Sequence, residues 1–187
     1  MPIVTVGKLA LCGVLALLLA AAGPRPVAAA SAVEIDAEVD AALVRFYEEV
    51  PAAKDLAKKA KGMLLFPSVV KAGFGVGGEY GEGALRIGGR SVGYYNTAAA
   101  SIGFQIGVQS RTEVLLFMTQ EALDRFRASD GWEVGVDGSV TVVKVGVAGE
   151  IDTTTISDPV IGFVFGEQGL MANLNLEGAK ITKMDKS

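Results

Sequence analysis

Histidine is absent from this chain of 187 residues, and cysteine occurs once, as Cys12. These absences remove much of the common catalytic and metal-binding machinery. There is no Ser-His-Asp triad, no Cys-His pair, and no zinc site built from His and Cys. A disulfide within the chain is excluded as well, so stability has to come from a packed core. Tryptophan is also single, so Trp132 reports on its own surroundings by fluorescence. Neither charge dominates strongly: 21 Asp+Glu stand against 17 Lys+Arg, a net charge of −4. Glycine is plentiful, with 24 residues, and several of these fall inside strand-like stretches where they need a reason.

The one long hydrophobic run lies at the front. Lys8 is the only charge before Leu9–Ala22, a run of about 14 residues, short of the roughly 20 that span a bilayer. Gly23-Pro24 breaks it, and Ala28-Ala29-Ala30 forms an A-x-A site with Ser31 as the first mature residue. This pattern predicts a cleaved secretory signal over 1–30 and a periplasmic or secreted domain over 31–187. An uncleaved anchor is the alternative. Leu11 precedes Cys12 and the apolar run continues past it, so a lipoprotein is not expected. Cleavage removes Lys8 and Arg25, leaving 15 basic against 21 acidic residues over 157 positions, a net charge of −6. That length favours one domain.

Ser31 and Glu34 have capping-box spacing. Ile35, Val39, Leu43, Phe46 and Val50 follow as an apolar helical stripe with acidic residues elsewhere. This predicts a helix packed on the domain; its acidic polar face argues against docking on anionic lipid. Pro51 suits the first turn of a second, basic helix, and Gly62 its C-cap. Met63–Phe66 reads as a short buried strand ended by Pro67. Ile102, Phe104, Ile106 and Val108 alternate with Gly103, Gln105, Gly107 and Gln109, a strand period. Val114–Phe117 is a short apolar strand, and Thr119 caps a brief helix carrying Leu123 and Phe126. Asp137-Gly138 is the strongest hairpin signal. Strands follow over Val140–Glu150, Val160–Phe165 and Leu170–Leu176, the last two joined by a turn at Glu167-Gln168-Gly169, and Ile181 adds a short final strand. Short strands with tight turns predict an α+β fold: N-terminal helices plus one strongly coiled antiparallel sheet or half-closed barrel. Alternating βαβ units are lacking, so a Rossmann-like fold is not expected.

Between these elements lies KAGFGVGGEYGEG (71–83), with Gly73, Gly75 and Gly77 on one face of a strand. Close backbone approach, sharp coiling or a ligand surface would each account for them. The run resembles neither a dinucleotide fingerprint nor a P-loop, since it opens no helix and lacks G-K-[ST]. Together with AKGMLLFP before it, IGFQIGVQSRTEVLLF (102–117) and GEQGLMANLNLEGAKI (166–181), it resembles the SYLF domain, a lipid-binding domain of bacteria and eukaryotes. The resemblance covers nearly all of the chain after about Val33. It implies a non-enzymatic domain that binds membrane phospholipids peripherally and needs no cofactor. Eukaryotic relatives bind phosphoinositides and, in yeast, associate with cortical actin; bacterial relatives are exported. For an exported chain, phosphatidylglycerol, cardiolipin or a host lipid is the more sensible ligand. No actin-binding motif is recognisable, and no nucleic-acid partner is expected.

Lipid binding needs cations for head-group phosphates and an apolar face for acyl chains. Lys54, Lys58, Lys59 and Lys61 form the densest positive cluster, Lys71 sits just ahead of the glycine strand, and Arg86 and Arg90 follow it. These seven are the candidate lipid-binding residues; a solvated helix face with scattered charges is the plain alternative. An envelope protein-interaction module, using a sheet edge or the apolar stripe, is the second class of function. An enzyme is the third; Glu79 and Glu82 are candidate carboxylates only through their place near glycines, and surface solvation is their plainer role. Asp152 and Asp158 flank a polar loop that would suit a cation, without EF-hand spacing. Tyr80, Tyr94, Tyr95 and Trp132 suit either a membrane interface or the core.

Overall fold

The computed structural model describes residues 30–50, 52–144, 158–168, 176 and 178–186. The expected leader, Pro51, Asp152, the strand beyond Lys144 and the return strand from Leu170 therefore lie outside the described residues, Ala30 and Leu176 excepted. Helices α1 (Ala32–Glu49) and α2 (Ala53–Lys59) come first. Strands β1 (Gly62–Ile87) and β2 (Arg90–Phe117), helix α3 (Gln120–Ala128), and strands β3 (Trp132–Glu133), β4 (Thr141–Lys144), β5 (Val160–Gln168) and β6 (Lys180–Met184) follow. The strands form one sheet in the order β3-β6-β2-β5-β4, with β1 on β2 as well, and the sheet curls into a half-barrel. The fold is α+β, as expected. Pairing is antiparallel except between β4 and β5, which run parallel.

The central device is the long β1/β2 hairpin. It turns at Gly88-Gly89, where φ is +59° and +80°, a conformation that costs glycine little. Asp137-Gly138, the expected hairpin, forms a compact turn instead: the Asp137 carboxylate accepts from the Glu133 N–H at 2.7 Å, and the Asp137 N–H returns to the Glu133 carbonyl at 2.9 Å. Nor does Pro67 end a strand. It sits where the β1/β2 register shifts between Phe66 and Val69, a bulge that tolerates a missing N–H. Gly62 opens β1 rather than capping α2, whose C-cap is Ala60. A Cβ there would stand 2.8 Å from Leu123 Cδ1, so any larger residue would make the end of the Leu123 side chain shift.

Period-two alternation at the base of the hairpin feeds two cores. Leu64, Phe66, Leu115 and Phe117 point to one, which α3 closes with Leu123 and Phe126 and which holds Trp132. Leu65, Val114 and Leu116 point to the other, where α1 brings Ile35, Val39 and Phe46 against Phe163 and Phe165 of β5. The short apolar runs read from the sequence are therefore strands buried on both faces. Ser31 forms the expected capping box, donating its N–H to Glu34 at 2.7 Å, which holds the Glu34 carboxyl below its ordinary range. Thr119 caps α3 by accepting from the Ala122 N–H at 3.2 Å.

The hairpin is also folded back on itself. A Cβ on Gly83 would stand 1.9 Å from the Leu65 carbonyl oxygen, and one on Gly81 2.9 Å from that of Ser68. At the bend a Cβ on Gly73 would stand 2.5 Å from the Gly77 Cα. Close backbone approach thus accounts for Gly73 and Gly77. Inside the fold-back a chain of charges ties the layers. Lys71 precedes the bend and bridges to Glu79 beyond it at 3.0 Å. Arg111 of β2 pairs with both Glu79 and, at 2.7 Å, Glu113. Burial works against the Arg111 charge, but Glu113 and Glu79 outweigh it and hold the guanidinium cationic. Burial pushes the Glu113 carboxyl up, against the pull of Arg111.

Candidate functional site

A groove of about 440 Å³ opens where α1, α2 and the two ends of β1 meet. Its cations come from three places. Lys54 and Lys58 stand one turn apart on α2, and Lys61 follows the helix, its N–H anchored to the Phe117 carbonyl at 2.8 Å. Arg86 enters from β1 on the opposite wall. The floor is apolar, built from Leu43 and Tyr47 of α1, Ala57 and Ala60 beside the lysines, and Met63 of β1. Gly88 and Gly89 form the rim, and no atom lies within 4 Å of where a Cβ would be at either.

Arg86 is held in place from α1. Its Nη1 bridges to Asp40 at 2.7 Å, and Asp36 lies 3.9 Å from Nη2. Asp36 is fixed in turn by the Ser91 hydroxyl at 2.6 Å and the Tyr94 hydroxyl at 2.9 Å. The buried Arg86 Nε has no hydrogen-bond partner. Burial pushes the Tyr47 hydroxyl up, so the floor stays neutral. Among the described residues Lys58 pairs with Asp55 at 3.2 Å, an exposed i,i+3 contact of small energetic worth. The lysines therefore remain available to an incoming anion, while Arg86 is preset.

Of the seven candidate cations, the fold brings together Lys54, Lys58, Lys61 and Arg86 and leaves three apart. Lys59, on α2 but off the face of Lys54 and Lys58, does not line the groove, and neither does the exposed Arg90 beyond the turn. Lys71 bridges to Glu79 inside the fold-back, away from the groove. Glu82 is likewise occupied, accepting from Lys186 at 3.0 Å and from the Tyr80 hydroxyl at 2.8 Å; burial and that bond push the Tyr80 hydroxyl up to about 12. Asp158 accepts from the Thr141 hydroxyl. Trp132 and Tyr95 are core residues. Sequence reading missed the floor. Leu43 and Tyr47 are an i,i+4 pair, but only the packing of α1 shows that they face α2.

The groove thus sets cations over an apolar floor at the edge of a curled sheet, a geometry chemically suited to an anion with an apolar body. Residues 98–187 match the family described as Ysc84, Las17-binding protein actin regulator. Over those residues the chain is similar to this SYLF-type family. Beta cell expansion factor A of Aeromonas veronii is similar, 29% identical over 151 residues that cover 79% of this chain and 55% of that protein. The chain thus spans about half the length of that curated relative.

Proposed function

We propose that this is an exported, non-enzymatic domain that binds anionic phospholipid at a membrane surface through the groove of Lys54, Lys58, Lys61 and Arg86. The observation that carries the reading is the convergence of four cations over an apolar floor in a chain of net charge −4. Segregated charge is what lets an acidic domain approach an anionic surface, where each nearby lysine contributes about 1 kcal/mol. Head-group phosphate would meet the lysines, and the first acyl carbons would lie over Leu43, Tyr47 and Met63. Export rests on the leader grammar of residues 1–30. The capping box that opens α1 at Ser31 lies next to the expected cleavage site.

The test is vesicle co-sedimentation with phosphatidylcholine, phosphatidylglycerol and cardiolipin at low and moderate salt. Binding to the anionic vesicles should weaken with salt. Lys58→Glu/Lys61→Glu should abolish it, whereas Lys59→Glu, one residue outside the groove, should cost far less. Equal losses in both variants would mean a diffuse charge effect and no groove site. Absence of binding to every vesicle would favour an envelope protein partner instead.

A further inference from the structure

The bend of the β1/β2 hairpin has its polarity inverted. Gly73 and Gly77 meet backbone to backbone on its inside, where Lys71, Glu79, Arg111 and Glu113 also gather. Strand alternation then places Val70, Ala72, Val76 and Tyr80 on the outside. Val108 stands across from Ala72, and Ala100 across from Gly78. Val76 is 72% exposed and Val108 69%, values far from those of a packed valine. No charged residue occurs between Lys71 and Glu79, nor between Arg90 and Arg111. A ribbon that turns its charges inward and its valines outward is arranged for an apolar medium rather than for water.

We propose that the outside of this bend is a wedge that enters the acyl region of a lipid bilayer. Three features favour lipid over a second copy of the chain. The face is convex, whereas a self-complementary interface has to meet its own copy. It offers little hydrogen bonding to fix a register, since the Tyr80 hydroxyl is already engaged by Glu82 at 2.8 Å. Tyr80, half-exposed at the flank of the bend, has the amphipathic ring suited to the boundary between head groups and chains. The wedge does not depend on the cationic groove. The groove lies where the two ends of β1 meet, and the bend lies at the middle of that strand, at the other end of the folded ribbon.

The experiment places a polarity-sensitive fluorophore on Val76→Cys in a Cys12→Ser background of the full chain. Phosphatidylcholine vesicles should shift its emission to the blue, and lipids brominated along the acyl chain should quench it. A Val76→Asp/Val108→Asp pair should weaken vesicle binding roughly tenfold or more, because charge is costly in the hydrocarbon layer. Circular dichroism and Trp132 emission of the pair should match the parent. A fluorophore that stays aqueous with every vesicle, whether or not the chain binds, overturns the wedge. So does a parent dimer that the aspartate pair converts to monomer, which would assign the face to a second copy. Anionic binding lost in Lys58→Glu/Lys61→Glu while the fluorophore stays aqueous would leave the groove standing and the wedge overturned. Insertion that persists in that variant would do the reverse.

Discussion

Single residues decide whether the hairpin can fold back. Gly83 has no room for a methyl group, because the Leu65 carbonyl lies where its Cβ would be. Gly83→Ala should cost about 3 kcal/mol or more, the upper end of overpacking, since the obstacle is backbone and cannot rotate away. Gly89→Ala meets nothing within 4 Å but must hold φ near +80°, so it should cost only about 1–2 kcal/mol. Urea unfolding of both variants separates crowding from backbone strain. Glu113 carries a pH signature. Its folded carboxyl titrates above the ordinary 4.5, so the folded state keeps a proton that the unfolded state releases. Stability should therefore fall as pH rises from about 4.5 through the raised value. Glu113→Gln should flatten that slope, and a urea midpoint measured against pH would show it.

The elements were legible wherever a local pattern and a tertiary neighbour agreed. The capping box of Ser31 and the Thr119 cap were readable because each is closed within three residues. Thr119→Ala should cost about 1 kcal/mol, read as a lowered melting temperature. The α1 stripe was readable because helical spacing alone gathers Ile35, Val39 and Phe46 on one side. Phe46 packs edge-on to Phe163, with ring centres 5.1 Å apart, and is fully buried. Phe46→Ala should therefore cost about 3–5 kcal/mol. Strand ends were less legible. Pro67 and Gly62 read as stops because both usually are, but a register shift absorbed the proline and β1 begins at the glycine, packed against Leu123. Among the described residues it is Gly88-Gly89 that has long, matching strands on both sides, and the Asp137-Gly138 signal is spent on a compact turn.

At the scale of the whole molecule, charge is sorted rather than merely balanced. Lysines and Arg86 gather at the groove, while Lys71 and Arg111 are enclosed with Glu79 and Glu113. Trp132 lies in the α3-side core, edge-on to Phe126 at 5.7 Å. Its emission should be blue-shifted in the folded protein, stay unchanged on adding vesicles, and move to the red in urea. A red shift caused by vesicles alone would mean that membrane contact opens the core. Sequence alone settled the absence of imidazole chemistry and of a disulfide within the chain, the α+β class, the helix starts and the alternation that supplies two cores. These follow from composition and from periods of two and 3.6, which act over a few residues. It took the folded chain to show that Lys71 is enclosed while Lys61 is presented, that Arg86 is clamped by Asp40, and that a run of glycines marks a fold-back. These depend on separate stretches of chain meeting in space, as Arg86 meets Asp40 from 46 positions away, and no local period carries that information.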